Sequence, residues 1–402
     1  MVPAADEKQK IKMRVRSEEK LALEMEKIRG MDVKAQQAAA EYVQSLAAPP
    51  GSLGKLTDLA VQLAGITGKV KNTVDRRRII VMCADNGVVA EGVSATPPVV
   101  TLSQAVNMTR YLTGMSTLAA HFGDEVEVVD VGISTVYCTG DSSRNENGSA
   151  ARQGEKILQR RIRRGTGNIV REAAMTREQA VEAILVGIER ARQAYEDGIN
   201  VIGVGEMGIG NTTTSSAVLA ALTGLPAEEV TGRGGGLTDA AFAKKKAVIS
   251  RALLLHGFTP GSDPDQIDVL SKVGGLDLAA MCGVYLGAAI CRIPVVIDGF
   301  ISIVAALCAG RLCETSKAYM FPSHLSEEIG YMRAAQELQV DPWLHLNMRL
   351  GEGSGCPLAF MIIESACALM NKMATFEKAR IDDGYLADLR QMQRDDRPPC
   401  DS

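Results

Sequence analysis

The stretch from Val201 to Ser216 concentrates residue types suited to holding an anion. Glycines at 203, 205, 208 and 210 leave backbone N–H groups uncovered by side chains. Asn211 is placed to cap a helix whose N-terminus, with its unpaired N–H groups and positive dipole end, suits a phosphate. Thr212, Thr213 and Thr214 add hydroxyl donors. Glu206 stands inside the same turn, where a carboxylate repels a phosphate, so it is expected to face something cationic or protonated. A second acid, Glu352, has a glycine on each side in the run Arg349 to Gly355, between apolar segments, which suits a loop that faces substrate.

Other readings of these residues stay open. Gly203, Gly205 and Gly208 fit the spacing of a dinucleotide fingerprint, but the expected helix starts only after Gly210, and Glu228 and Glu229 follow a proline rather than a strand. No Gly-Lys-Ser/Thr follows the glycines, so the Walker pattern is absent. A phosphate cradle and a purely structural glycine turn are both compatible with the stretch. One of Lys244, Lys245 and Lys246, after the glycine turn 232–236, can reach a phosphate, while the others are expected on a wet helix face. His324 alone is more often a structural hydrogen-bonding residue than a catalyst.

These residues need a scaffold, and the composition supplies one. The 402 residues are 46% hydrophobic with only 4% aromatics, enough for one large core and a minor domain. A net charge of -4 argues against nucleic acid as a partner, and the short basic clusters at Arg76–Arg78 and Arg160–Arg164 read as solvated faces. The nine cysteines form no C-x-x-C pair and are expected as buried free thiols of a reducing, cytoplasmic compartment. No apolar run is long enough to suggest a membrane span, and the charged N-terminus does not resemble a signal peptide.

Buried-strand runs at 78–84, 126–131, 201–204 and 294–297 alternate with helical segments, which gives a doubly wound, mostly parallel α/β sheet, three-layered and Rossmann-like. Asp85 and Asp298 end two of these runs as polar tips. Thr176 and Gln179 form a capping box before the helix that leads to the Glu206 strand. Residues 1–30 read as a charged N-terminal extension. Two helices within 31–70, together with a last helix within 376–393, are expected to form a small helical domain. Residues 71–375 form the α/β domain, with a polar insertion at about 134–158.

Several motifs occur together: Pro50 to Leu56, Ala84 to Gly87, Gly92 to Ala95, Arg164 to Asn168, Gly205 to Thr213, Gly232 to Gly234, Asp298 to Ile301, Ser323-His324 and Arg349 to Gly355. In this order, over residues 32–378, the set resembles the nicotinate-nucleotide:dimethylbenzimidazole phosphoribosyltransferase family. The resemblance implies a homodimer without a required metal or cofactor, acting on small molecules. It implies Glu352 as general base and sets Glu206 in the acceptor-base pocket, where its negative charge near the developing sugar cation makes it a second catalytic candidate. Thr96, Gln104, Met207 and Leu350 would form the acceptor-base pocket. Gly208, Gly210, Asn211, Thr212, Gly234, Lys245, Gly299 and Ser323 would hold the mononucleotide and its phosphate. The chain departs from the family pattern at Asn86, Leu325 and Asn347. A non-catalytic relative that binds nucleotide or benzimidazole, and a nucleotide-dependent kinase or oxidoreductase, stand as alternatives.

Overall fold

The computed structural model describes residues 17–137 and 156–386. They fall into two compact units, one of residues 17–29, 76–137 and 156–359, the other of residues 30–75 and 360–386. Residues 17–25 are helical and form α1. Then follow α2 (Val33–Ser45), α3 (Lys55–Thr67), β1 (Arg77–Ala84), α4 (Val99–Thr109), α5 (Gly114–Phe122), β2 (Glu125–Gly132), β3 (Leu158–Gln159), α6 (Arg177–Glu196) and β4 (Val201–Met207). The remainder is α7 (Asn211–Thr223), α8 (Ala227–Val230), α9 (Asp239–Leu255), α10 (Gln266–Val273), α11 (Leu276–Cys291), β5 (Val295–Ile297), α12 (Phe300–Leu312), β6 (Met320–Pro322), α13 (Gly330–Leu338), α14 (Cys356–Lys372) and α15 (Phe376–Ala379).

The first unit is built on one parallel sheet of order β3-β2-β1-β4-β5-β6. The chain steps from β1 to β2 on one side and from β4 to β5 on the other, and since parallel crossovers are right-handed as a rule, the helices that follow β1 and those that follow β4 cover opposite faces. The doubly wound α/β fold expected from the alternation of strands and helices is therefore present. β1 is buried along its whole length, as a strand covered on both faces must be. Its register sets Met82 beside Glu206 and Cys83 beside Met207, which brings the carboxyl ends of β1 and β4 together at the point where the strand order reverses. α6 and α11 pack on each other, and their close approach relies on Gly187, where an added Cβ would come within 2.0 Å of the Ala280 carbonyl oxygen.

In the second unit α2 and α3 pair, with Asp32 capping α2 through the Ala35 N–H at 2.9 Å. Leu46 bridges to Thr375. The last helix is shorter than expected: α15 covers four residues, a 3-10 turn follows at Gly384–Leu386, and the later part of the segment lies outside the described residues.

Three local expectations need correction. Residues 17–29 are not an exposed extension, because Leu21 and Ile28 are buried, Glu24 pairs with Arg192 at 2.6 Å, and the Tyr319 hydroxyl donates to the Arg29 carbonyl. Nor are the basic clusters simply solvated. Arg78 stands opposite Glu125 in the β1–β2 register and bonds Glu125, Glu127 and Asp197, Arg77 pairs with Asp124, and Arg161 pairs with the buried Asp130. Charge counted along the chain does not show which acids the neighbouring strand places opposite. Third, Gly210, at φ 94°, is the N-cap of α7, and Asn211 is its first helical residue, with its side chain turned to Glu206. Cys83, Cys282, Cys308, Cys356 and Cys367 are buried free thiols, whereas Cys291 and Cys313 are half-buried. Cys138, Cys400 and most of the polar insertion lie outside the described residues.

Candidate active site

Asp85, at the tip of β1, organises the ground beneath the site. One carboxylate oxygen accepts from the Thr101 hydroxyl of α4 at 2.6 Å, and the other from the Ser134 N–H and hydroxyl at 2.8 and 2.7 Å. Thr101 Oγ1 in turn accepts from the Ile209 N–H at 3.2 Å, which ties α4 to the glycine turn after β4.

The loop that carries Glu352 is held by two other acids. Asp298, at the end of β5, accepts from the Gly353 N–H at 3.0 Å through Oδ2 and from the Gly355 N–H at 2.7 Å through Oδ1. Glu206 Oε1 accepts from the Glu352 N–H at 3.2 Å, and Glu206 Oε2 accepts from Asn211 Nδ2. The loop lies directly on β4, where a Cβ at Gly205 would come within 2.3 Å of the Glu352 carbonyl oxygen. This close approach accounts for glycine inside a central strand. Glu352 itself has φ 65°, a left-handed conformation that costs a non-glycine residue free energy and that the surrounding bonds enforce. Asn347 is also left-handed at φ 54°, a conformation that asparagine tolerates.

Between these elements is a cavity of about 280 Å³. Of the residues expected to form the site, Glu352, Glu206, Thr96, Gln104, Met207, Leu350, Gly208, Gly210, Asn211, Thr212, Gly234 and Gly299 all line it. Lys245 and Ser323 do not. Lys245 is fully buried behind the wall, and its ammonium donates to Thr212 Oγ1 and the Gly232 carbonyl, each at 3.0 Å. It therefore reaches the cavity through Thr212. Ser323 donates to the Asp298 carbonyl at 3.2 Å and contacts His324 Nδ1 at 3.1 Å, while Ser326, three residues further on, lines the cavity. Gly234 also differs from expectation, because its N–H already donates to Glu328 Oε1 at 2.8 Å. Glu328 carries no motif signal in the sequence, and only folding brings the 323–328 segment against the 232–236 turn.

Burial dominates the electrostatics. It pushes the Glu206 carboxyl up to about 8, with the nearby Asp277 carboxylate adding to the shift and the Glu352 N–H and Asn211 amide opposing it. Asp277 is pushed up to about 6 by burial as well. Burial also raises Glu352, against hydrogen bonding from the Thr113 hydroxyl and the Met115 N–H at the start of α5. Its Oε2 is buried without a hydrogen-bond partner, which leaves an acceptor ready for a donor on a ligand. Lys245 moves the opposite way, down to about 8, because burial disfavours its charge. Among the described residues no group of His, Cys, Asp and Glu is arranged to hold a metal ion, and no helix is long and apolar enough to cross a membrane. A larger hollow of about 470 Å³ in the second unit is lined by residues such as Val43, Pro50, Leu53 and Gln62 and includes none of the expected site residues.

Open parallel α/β sheets bind ligands outside the carboxyl ends of the strands, where the strand order reverses. A cavity in that position, with a helix N-terminus on one side and a raised carboxyl with an unpartnered oxygen on the other, is suited to an enzyme that holds an anionic ligand and takes up a proton. Comparison with known proteins makes the class specific. A family model described as a phosphoribosyltransferase matches residues 28–381. The nicotinate-nucleotide–dimethylbenzimidazole phosphoribosyltransferase of Clostridium perfringens is 49% identical over 363 residues, 90% of this chain and 96% of that protein. The enzyme of the same name from Clostridium acetobutylicum is 45% identical over 355 residues, 88% of this chain and 96% of its own length. The crystal structure of CobT from Thermus thermophilus superposes with a TM-score of 0.78 at 36% identity, covering 87% of this chain and all of that one. The chain belongs to the nicotinate-nucleotide–dimethylbenzimidazole phosphoribosyltransferase family.

Proposed function

We propose that the protein transfers the 5-phosphoribosyl group of nicotinate mononucleotide to 5,6-dimethylbenzimidazole or a similar base, giving α-ribazole 5′-phosphate and nicotinate with inversion at C1′. The donor's pyridinium nitrogen leaves C1′ as a neutral ring nitrogen, so its departure needs no proton. The acceptor attacks C1′ through one ring nitrogen and becomes cationic unless its other N–H is deprotonated. The observation that carries the reading is the Glu352 carboxyl, which lines the cavity with Oε2 unpartnered and a proton affinity raised by burial. A base so placed takes the acceptor proton, a role worth about 10²- to 10⁴-fold in rate.

Thr96, Gln104, Met207 and Leu350 form the acceptor side of the cavity in this reading. The start of α7, with Gly208, Gly210, Asn211 and Thr212, receives the mononucleotide phosphate beside Gly234 and Gly299, and Lys245 polarises Thr212 from behind. Burial raises Glu206 to about 8, which favours its neutral form in the empty site at neutral pH. Its contribution is then to hold the Glu352 backbone and Asn211, and a negative charge near the developing sugar cation arises only when it loses its proton. Holding both rings on opposite sides of the ribose supplies much of the rate by positioning.

Nicotinate release, measured with and without dimethylbenzimidazole and in the presence of EDTA, tests the reaction. Release that depends on the added base and survives EDTA supports it. Strict dependence on Mg²⁺, or binding of both compounds without turnover, rejects it. The assembly is proposed to be a homodimer and its location cytoplasmic, and a monomer mass in light scattering would remove the first of these.

A further inference from the structure

Four carboxylates line the cavity: Glu206, Asp298, Glu328 and Glu352. Their hydrogen bonds separate them. Both oxygens of Asp298 accept loop N–H groups, and both oxygens of Glu206 accept from Glu352 N and Asn211 Nδ2. Glu352 and Glu328 each keep one buried oxygen without a partner, Oε2 in both cases. A buried carboxylate oxygen only accepts, and both residues line the cavity, so a donor on a ligand held there can complete each.

The donors are few if the reaction is the one proposed above, on which this inference rests. The benzimidazole brings one N–H, which Glu352 takes. The phosphate and the nicotinate carboxylate bring none at neutral pH. What remains is the pair of ribose hydroxyls on the mononucleotide. Glu328 lines the cavity beside the start of α7: its Oε1 holds the Gly234 N–H at 2.8 Å, and Lys245, which bonds Thr212, is near enough to feel its charge. The chain makes room for it, because a Cβ on Gly232 would lie 1.7 Å from Glu328 Oε2. We propose that Glu328 accepts the ribose hydroxyls of the bound mononucleotide and so sets a preference for a ribonucleotide over a deoxyribonucleotide donor.

The test is steady-state kinetics of the wild type and Glu328→Gln with nicotinate mononucleotide and its 2′-deoxy and 3′-deoxy analogues. Gln keeps an oxygen for the Gly234 N–H, so the turn stays in place. The wild type is expected to prefer the ribonucleotide over at least one deoxy analogue by about 10- to 100-fold in kcat/KM, the range of one charged hydrogen bond. The variant is expected to lose that factor on the ribonucleotide while its use of the disfavoured analogue and its KM for the benzimidazole change less than about 3-fold. Equal losses on ribo and deoxy donors would assign Glu328 a purely structural role and overturn the proposal. Tighter mononucleotide binding in the variant would overturn it too, by making the carboxylate an internal competitor of the phosphate. Calorimetric titration of wild type with the three mononucleotides, without acceptor, makes the same comparison independently of turnover. If the transfer reaction itself fails, that arm still decides the role of Glu328, and a wild type that binds ribo and deoxy forms equally well rejects it even if the variant does not fold.

Discussion

Replacing Glu352 with Gln removes a proton acceptor while keeping the shape of the loop. The backbone bonds that fix the loop do not use this side chain, since Glu352 N, Gly353 N and Gly355 N donate to Glu206 and Asp298, and the Gln oxygen can still accept from the Thr113 hydroxyl or the Met115 N–H that hold the carboxyl. The amide can still hydrogen-bond an acceptor N–H, so both substrates should bind within a few-fold of wild type. Turnover should fall by about 10² to 10⁴, equivalent to about 2.7–5.5 kcal/mol in the barrier. In the wild type the active form is the carboxylate. Burial raises its pKa, so activity should rise with pH through a value above the ordinary glutamate range and fall below it. The variant should lack that limb, and its deficit should shrink at alkaline pH as hydroxide or ionised acceptor replaces the base in part. The assay is kcat against pH for both proteins with saturating substrates, alongside direct binding of each substrate. A variant with near wild-type kcat at pH 7, or one whose profile keeps the acidic limb, would falsify the assignment. A larger, pH-relieved loss in Glu206→Gln would move the base to the central turn.

Glu206 contributes to stability with a definite sign. Its folded pKa, about 8, lies above the ordinary glutamate value of 4.5, so the folded state binds the extra proton between these values and stability falls as pH rises across that window. Glu206→Gln should therefore gain on wild type between pH 5 and pH 8 by up to about 1.4 kcal/mol per pH unit in urea denaturation, and a pH-independent difference would refute this. Lys245→Met should raise the mononucleotide KM by about 10- to 100-fold and leave the benzimidazole KM nearly unchanged. Wild-type mononucleotide binding should weaken above pH 8 as the buried ammonium loses its proton, while the variant stays flat, and equal effects on both substrates would count against the phosphate role. Asp298→Asn leaves one acceptor for two loop N–H groups, so thermal stability should drop by the equivalent of about 1–3 kcal/mol and kcat should fall with it; unchanged kcat would mean that the loop does not depend on this anchor.

The order of elements is legible in the sequence because strands buried on both faces read as short apolar runs and helices begin at recognisable caps. β1, β2 and β4 appear within a few residues of their expected positions, and α6 starts at the Thr176–Gln179 capping box. Glu352 and the glycine turn after β4 are legible for a similar reason, since glycines around an acid mark a place where backbone must approach something closely. What the sequence does not encode locally is who faces whom. Arg78 reads as solvated until the β1–β2 register sets Glu125 opposite it. Asn211 reads as a cap until the turn places Gly210 in the left-handed region and gives the amide to Glu206. Ser323 reads as a site residue although Ser326 is the serine that lines the cavity, and Glu328 gives no signal at all. Whether a side chain lines a cavity depends on the direction of a short irregular segment, and no periodicity encodes that direction. Residue types and their spacing set the sheet, the anion-ready helix start and the candidate base. Which carboxylates hold the loop and which keep an unpartnered oxygen is settled only in three dimensions, because that depends on hydrogen-bond partners far away along the chain.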